Sequence, residues 1–151
     1  MNIRVAIISG LKQQRDYTAA ILGQVEGLEV VYKGNSVTTH FRQLRRTNPD
    51  IILLTTGAPD AFHTDLNPRF PNVRNRLPRT KIMLRTELDR SHPFIQEAVR
   101  SGASVIDERI DFAKIAEAIP RVHSGEQLVL YAAKGHDLEV PQRGLGRKET
   151  R

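Results

Sequence analysis

The chain has 151 residues and no cysteine, which excludes disulfides, thiolate metal sites and a cysteine nucleophile. Hydrophobic residues make up 39% and charged residues 26%, a globular mix that is neither disordered nor fibrous, and no apolar run approaches the roughly 20 residues of a membrane span. The formal charge is +6, and half of it sits at the end of the chain, where Arg143, Arg147, Lys148 and Arg151 oppose only Glu149. The body is mildly basic, and the end reads as a solvated tail or linker that attracts polyanions without specificity.

Strand and helix patterns alternate along the chain. IRVAII at 3–8 is a short β-rich run with no cleavage-site pattern, and a cytoplasmic location is expected. Tyr17, Ile21 and Val25 follow at helical spacing, then LEVVYK at 28–33 as a strand, then Val37, Phe41 and Leu44 on a helix face. IILLT at 51–55 is apolar on both faces, as a central parallel strand requires. Residues 57–80 hold Pro59, Pro68, Pro71 and Pro78, so at most one short helix fits, at about 70–77. KIMLR at 81–85 is a strand, and Phe94, Ile95, Ala98 and Val99 mark a helix ended by Gly102. SVID at 104–107 is a fifth strand. Phe112, Ile115, Ala116, Ile119 and Val122 form a last helix, capped by Asp111 and expected to be kinked or shortened at Pro120. Right-handed crossovers then give an α/β domain over residues 1–130, followed by a basic tail or interdomain linker over 131–151.

The element order, PDIILLTTGAP at 49–59, SGAS at 101–104 and AIPRVHSGEQLV at 118–129 resemble the receiver domain of bacterial response regulators, most nearly the kind that precedes a LuxR/NarL-type DNA-binding domain. The resemblance covers about residues 1–130. It implies a flavodoxin-like, doubly wound, five-stranded parallel sheet of order 2-1-3-4-5, with the functional pocket at the carboxyl ends of the strands. In that family a strand-three aspartate takes a phosphoryl group from a phosphohistidine. Two acidic residues after strand one help hold magnesium, and a strand-four hydroxyl and a strand-five lysine contact the phosphoryl group.

Carried onto this chain, those roles fall on residues of a different kind. The phosphoacceptor position is Thr55, and the acidic pair is Ser9 and Gly10. The strand-four hydroxyl is retained as Thr86, and the lysine position falls at Arg109, or at Glu108 with a different gap. Magnesium seeks charged oxygen ligands in octahedral geometry, which alcohols and a glycine do not supply. Without the ion, nothing neutralises a transferring phosphoryl group. Thr55 as a nucleophile would need a positioned base, and Asp60 and His63 are the nearest in sequence. The resemblance therefore implies a pseudo-receiver that is not an enzyme, with no catalytic residue, no metal and no cofactor. His40, His63, His92, His123 and His136 show no metal-ligand spacing, and SGLKQQ at 9–14 is no phosphate-binding glycine loop. Arg69, Arg74, Arg76, Arg79, Lys81, Arg85 and Arg90 read as a solvated face or as a basic rim for an anion.

Two functions are compatible with this chain. One is signal transduction, with transcription regulation as its output, through contacts of the helix 4–strand 5–helix 5 face with a second copy or a partner protein. The candidate interface residues are Arg90, Arg100, Arg109, Glu117 and Arg121. DNA is a partner only where a separate output domain is attached. The other is small-ligand sensing in a pocket of Ser9, Gly10, Thr55 and Thr86 freed of its acidic cluster.

Overall fold

The structure, a computed structural model, describes residues 2–37, 40–56, 70–133 and 136–142. Seven strands form one sheet of order β2-β1-β3-β4-β5-β6-β7. In chain order the elements are β1 (Ile3–Ser9), α1 (Lys12–Leu22), β2 (Leu28–Gly34), α2 (Phe41–Thr47), β3 (Ile51–Thr55) and α3 (Phe70–Arg76). They continue with β4 (Lys81–Thr86), α4 (Pro93–Arg100), β5 (Ser104–Asp107), α5 (Phe112–His123), β6 (Gln127–Ala133) and β7 (His136–Gln142). The first six strands in this order are parallel, which confirms the doubly wound α/β fold with its 2-1-3-4-5 core.

Side-chain alternation along the central strands builds two cores. Ala6, Ile8, Ile52, Leu54, Ile82 and Leu84 pack with Phe41, Leu44, Val73, Ile95 and Ala98 of α2, α3 and α4. Val5, Ile7, Ile51, Leu53 and Met83 pack with Leu22 of α1 and with Ile115, Ile119 and Val122 of α5. Apolar residues on both faces are what make β3 and β4 central strands. Among the described residues, no helix is long and apolar enough to cross a membrane.

Local signals set most boundaries. The Asp111 carboxylate accepts from the Lys114 amide at 3.0 Å and starts α5. His92 caps α4 through Nδ1, with Pro93 in the first turn. Gly102, at φ +96, makes the left-handed turn from α4 into β5. Pro120 does not end α5, contrary to the expectation of a shortened helix; the helix runs on to His123. One missing backbone donor is offset by the buried face of Ile115, Ala118, Ile119 and Val122.

The largest departure from the expected fold is beyond α5. The sheet has seven strands rather than five, and part of the segment expected as a linker lies within it. β6 pairs parallel with β5, and β7 returns antiparallel along β6 from Ala133↔His136 to Gln127↔Gln142. Residues 143–151 lie outside the described residues. Leu128, Val129 and Leu130 are buried in succession, the two-faced pattern of an internal strand. The β5–β6 ladder is short, Val105↔Val129 and Ile106↔Leu130, and side chains extend it at both ends. Ser104 Oγ accepts from the Leu128 amide at 3.0 Å, and Asp107 Oδ2 accepts from the Ala132 amide at 3.0 Å. Gln127 Nε2 donates to the Val99 and Ala103 carbonyls at 2.8 and 2.9 Å. An uncovered β5 would present a row of unpaired backbone groups; β6 satisfies them.

Candidate functional site at the strand ends

The carboxyl ends of β1, β3 and β4 lie side by side. Ser9 pairs with Thr55, and Thr55 with Arg85. All three lie two positions beyond Ile7, Leu53 and Met83, so they share the face that packs on α1 and α5. Two contacts confirm this. Ser9 Oγ donates to Gln14 Oε1 on α1 at 3.0 Å, and the Arg85 guanidinium lies 4.9 Å from the ring centroid of Phe112 on α5. Phe112 in turn makes an edge contact with Tyr17 of α1, centroids 5.8 Å apart. Leu11 and Tyr17 stand 64% and 62% exposed at this end of α1.

Thr86 belongs to the opposite face. Its hydroxyl accepts from Thr56 Oγ1 at 3.1 Å and from the Leu88 amide at 3.0 Å. Ser9, Gly10, Thr55 and Thr86, the residues of the expected pocket, all lie at the carboxyl ends of adjacent strands. Ser9 and Thr55 face α1 and α5, Thr86 faces α4, and Gly10 is exposed beyond the end of β1. Asp60 and His63 lie outside the described residues, as does Arg69 of the anticipated basic rim.

β5 ends at Asp107, where the sequence pattern ended it. The residue paired with Thr86 is Asp107, and Arg109 lies two positions past the strand. Arg109 is mostly exposed and turns back on Asp107, with Nη2 to Oδ2 at 2.6 Å and Nε to both carboxylate oxygens at 3.1 Å. The Arg109 amide also donates to Asp107 Oδ1 at 3.0 Å. Burial pushes the Asp107 carboxyl up, but the Arg109 side chain and amide and the Ala132 amide outweigh it, holding the group below the usual carboxylate value. Arg109, the residue to which the resemblance assigns the lysine role, is thus engaged with Asp107, a buried anion that anchors β6. Tyr131 on β6 donates to the Leu88 carbonyl at 3.2 Å. Burial, and next the Asp107 charge, push its phenol up to about 12.

Arg85, read from sequence as part of a solvated face or of a basic rim for an anion, is 9% exposed. Its Nη2 donates to the Glu108 carbonyl at 3.0 Å, and its Nε has no hydrogen-bond partner. Burial lowers its pKa; the charges of Glu108 and Asp107 act the other way. Burial and the neighbouring Glu87 charge hold the Glu108 carboxyl above its ordinary value. A signal for Arg85 was present in the sequence, since an arginine inside a strand apolar on both faces has nowhere to be solvated.

Of the five anticipated interface residues, Arg90 lies 6.0 Å from the Tyr131 ring centroid, Arg100 ends α4, and Glu117 is exposed on α5. Arg121 pairs with Glu126 at 2.8 Å, and Arg109 serves Asp107. They do not frame an open β5 edge, because β6 occupies it.

The architecture matches solved receiver domains. A LuxR-family response regulator from Aurantimonas sp. SI85-9A1 is 21% identical with a TM-score of 0.67, covering 83% of this chain and 87% of that one. The receiver domain of the putative response regulator NarL from Mycobacterium tuberculosis is 19% identical, TM-score 0.69, over 82% and 98%. The isolated receiver domain of RcsB from Salmonella enterica serovar Typhimurium, solved in the presence of phosphomimetic BeF3-, is 14% identical, TM-score 0.70, over 85% and 94%. This chain has the receiver fold. No protein-family model and no curated protein sequence matches it.

The magnesium that this fold implies does not fit the residues present. The resemblance assigns the carboxylate-ligand and phosphoacceptor roles to Ser9, Gly10 and Thr55, none of which carries a carboxylate, and the nearest buried charge on that face is the cation Arg85. Among the described residues, no group of three His, Asp or Glu side chains is placed to hold a metal ion.

Proposed function

We propose that this domain is a receiver that works without phosphorylation, in signal transduction and transcription regulation, through protein contacts. The observation that carries this reading is the Ser9–Thr55–Arg85 row, two alcohols and a buried guanidinium in place of an acidic cluster. A cation at that place repels magnesium, where carboxylates would attract it. The state of the domain is then set by its packing or by a bound partner rather than by covalent modification.

The partner surface lies on the side of α4 and α5, where Arg90, Arg100 and Glu117 are displayed, and it includes the β6–β7 pair that covers β5. A second copy or an output protein docks there, and DNA is reached only through an attached output domain. A domain of this kind works in the cytoplasm. Incubation with acetyl phosphate and magnesium, followed by intact-mass measurement beside a conventional receiver, tests the reading. No phosphoryl mass is expected on this chain, and its appearance would overturn the proposal.

A further inference from the structure

A buried guanidinium is ordinarily matched by a carboxylate, because an uncompensated charge in a low-dielectric site loses its hydration and gains nothing in return. Among the described residues Arg85 has no such match. Its contacts are one backbone carbonyl and the face of Phe112, and its Nε is unpartnered. The neighbouring Glu108 makes no ion pair with it; that carboxyl is itself biased toward its neutral form by burial and by Glu87. A second guanidinium stands at the same strand ends. Arg15 Nη1 donates to the Ser9 carbonyl at 2.8 Å and likewise meets a backbone oxygen rather than a carboxylate. Between them lie the Ser9 and Thr55 hydroxyls, on adjacent strands about 4.8 Å apart.

We propose that Ser9, Thr55 and Arg85, with Arg15 at the rim, form a site for the oxyanion group of a small molecule, a phosphate or a carboxylate held noncovalently. Arg85 presents fixed donors suited to a planar or tetrahedral oxyanion, Thr55 supplies a rotatable hydroxyl, and Ser9 supplies a second when its O–H turns from Gln14 Oε1 to the ligand. The site inverts the polarity of the pocket implied by the receiver resemblance: where that pocket needs anionic side chains to hold a cation, this one offers a cation to hold an anion. The apolar rim of Phe112, Tyr17 and Leu11 suits the remainder of such a ligand. The proposal rests on the phosphorylation-independent reading and names the chemistry that would bias the domain in its place.

A second basic hollow, of about 200 Å³, lies at the opposite ends of the strands, lined by Arg74, Thr80, Lys81 and Ser101 among others. Its two cations are exposed, so water already solvates them and they demand no counter-ion. It serves as the internal control.

The test is titration of the full chain with sodium phosphate or sodium acetate against chloride at constant ionic strength. Thermal unfolding and backbone amide NMR shifts are the readouts. A saturable rise in Tm is expected with one of the two anions, with the largest shifts at Ser9, Thr55, Thr56 and Arg85. Response to phosphate alone marks a phosphate-bearing ligand, and response to acetate alone marks a carboxylate. Arg85→Met should weaken binding at least tenfold, Arg85→Lys should retain part of it, and Lys81→Gln should leave it unchanged. A flat titration of the native chain overturns the site, as does a response that survives Arg85→Met or disappears with Lys81→Gln. Either result leaves the phosphorylation-independent reading standing; that reading falls only if acetyl phosphate adds mass.

Discussion

Asp107 and Arg85 lie on neighbouring strands, one register step apart, and both are buried, yet their surroundings treat charge in opposite ways. Asp107 accepts from the Arg109 side chain, the Arg109 amide and the Ala132 amide, so its charge is compensated and ties β6 to the end of β5. Arg85 meets a carbonyl and a ring, and one of its donors has no partner. A saturated buried ion is part of the scaffold. An unsaturated one beside two buried hydroxyls is poised for something that arrives from outside. The β5–β6 side of the sheet is thus finished by the chain itself, while the β1–β3–β4 ends are left chemically open.

The comparison can be broken most forcefully by removing what completes the finished side. Truncation after Glu126 deletes buried Leu128, Val129 and Leu130, at about 1.5–3 kcal/mol each. That is on the scale of a small domain's whole stability. The shortened chain is expected to be largely unfolded or to associate through the bared β5 edge, as circular dichroism and light scattering would show.

Asp107→Ala is the next largest effect. It leaves the Ala132 amide without its acceptor and releases Arg109, at a cost of about 2–3 kcal/mol in urea unfolding. The effect depends on pH with a definite sign. The folded-state pKa of Asp107 is lowered, so its contribution is fully present above the unfolded value of about 3.9 and is lost as pH falls through the folded value. The stability gap between the native chain and Asp107→Asn should therefore hold at pH 6 to 7 and close in acid, below about pH 4.

Tyr131→Phe removes one hydrogen bond from β6 to Leu88 and should cost about 1 kcal/mol. The smallest effect sharpens the contrast by its sign. In anion-free buffer Arg85→Met should be neutral or stabilising by up to about 1 kcal/mol, because an apolar side chain of similar length fills the place without the desolvation cost. Loss of stability comparable to that of Asp107→Ala would mean that Arg85 is as well compensated as Asp107, and the contrast would be gone.

Much of this was legible from the residues alone. Two-faced apolar runs such as IILLT and one-faced helices such as that of Ile115, Ile119 and Val122 carry their secondary structure in their periodicity. Asp111 and Gly102 mark a start and a stop by local chemistry. That Ser9, Gly10 and Thr55 stand at positions where receivers carry carboxylates is what the family resemblance implies. QLVLYAA carried a strand pattern as well, but the glycines and proline that follow it blurred the boundary, and the place of a seventh strand depends on which edge remains free.

The sequence by itself determined the order of the elements and the two-faced core strands, because each is written in local spacing and residue type. Only the tertiary structure decided that Asp107 is buried and tied to β6, that β6 covers the edge of β5, and that Arg85 is buried beside Thr55. The reason is geometric. Successive strand residues point to opposite faces, so a shift of one position changes every neighbour a side chain meets, and register between strands far apart in sequence is set by their joint packing.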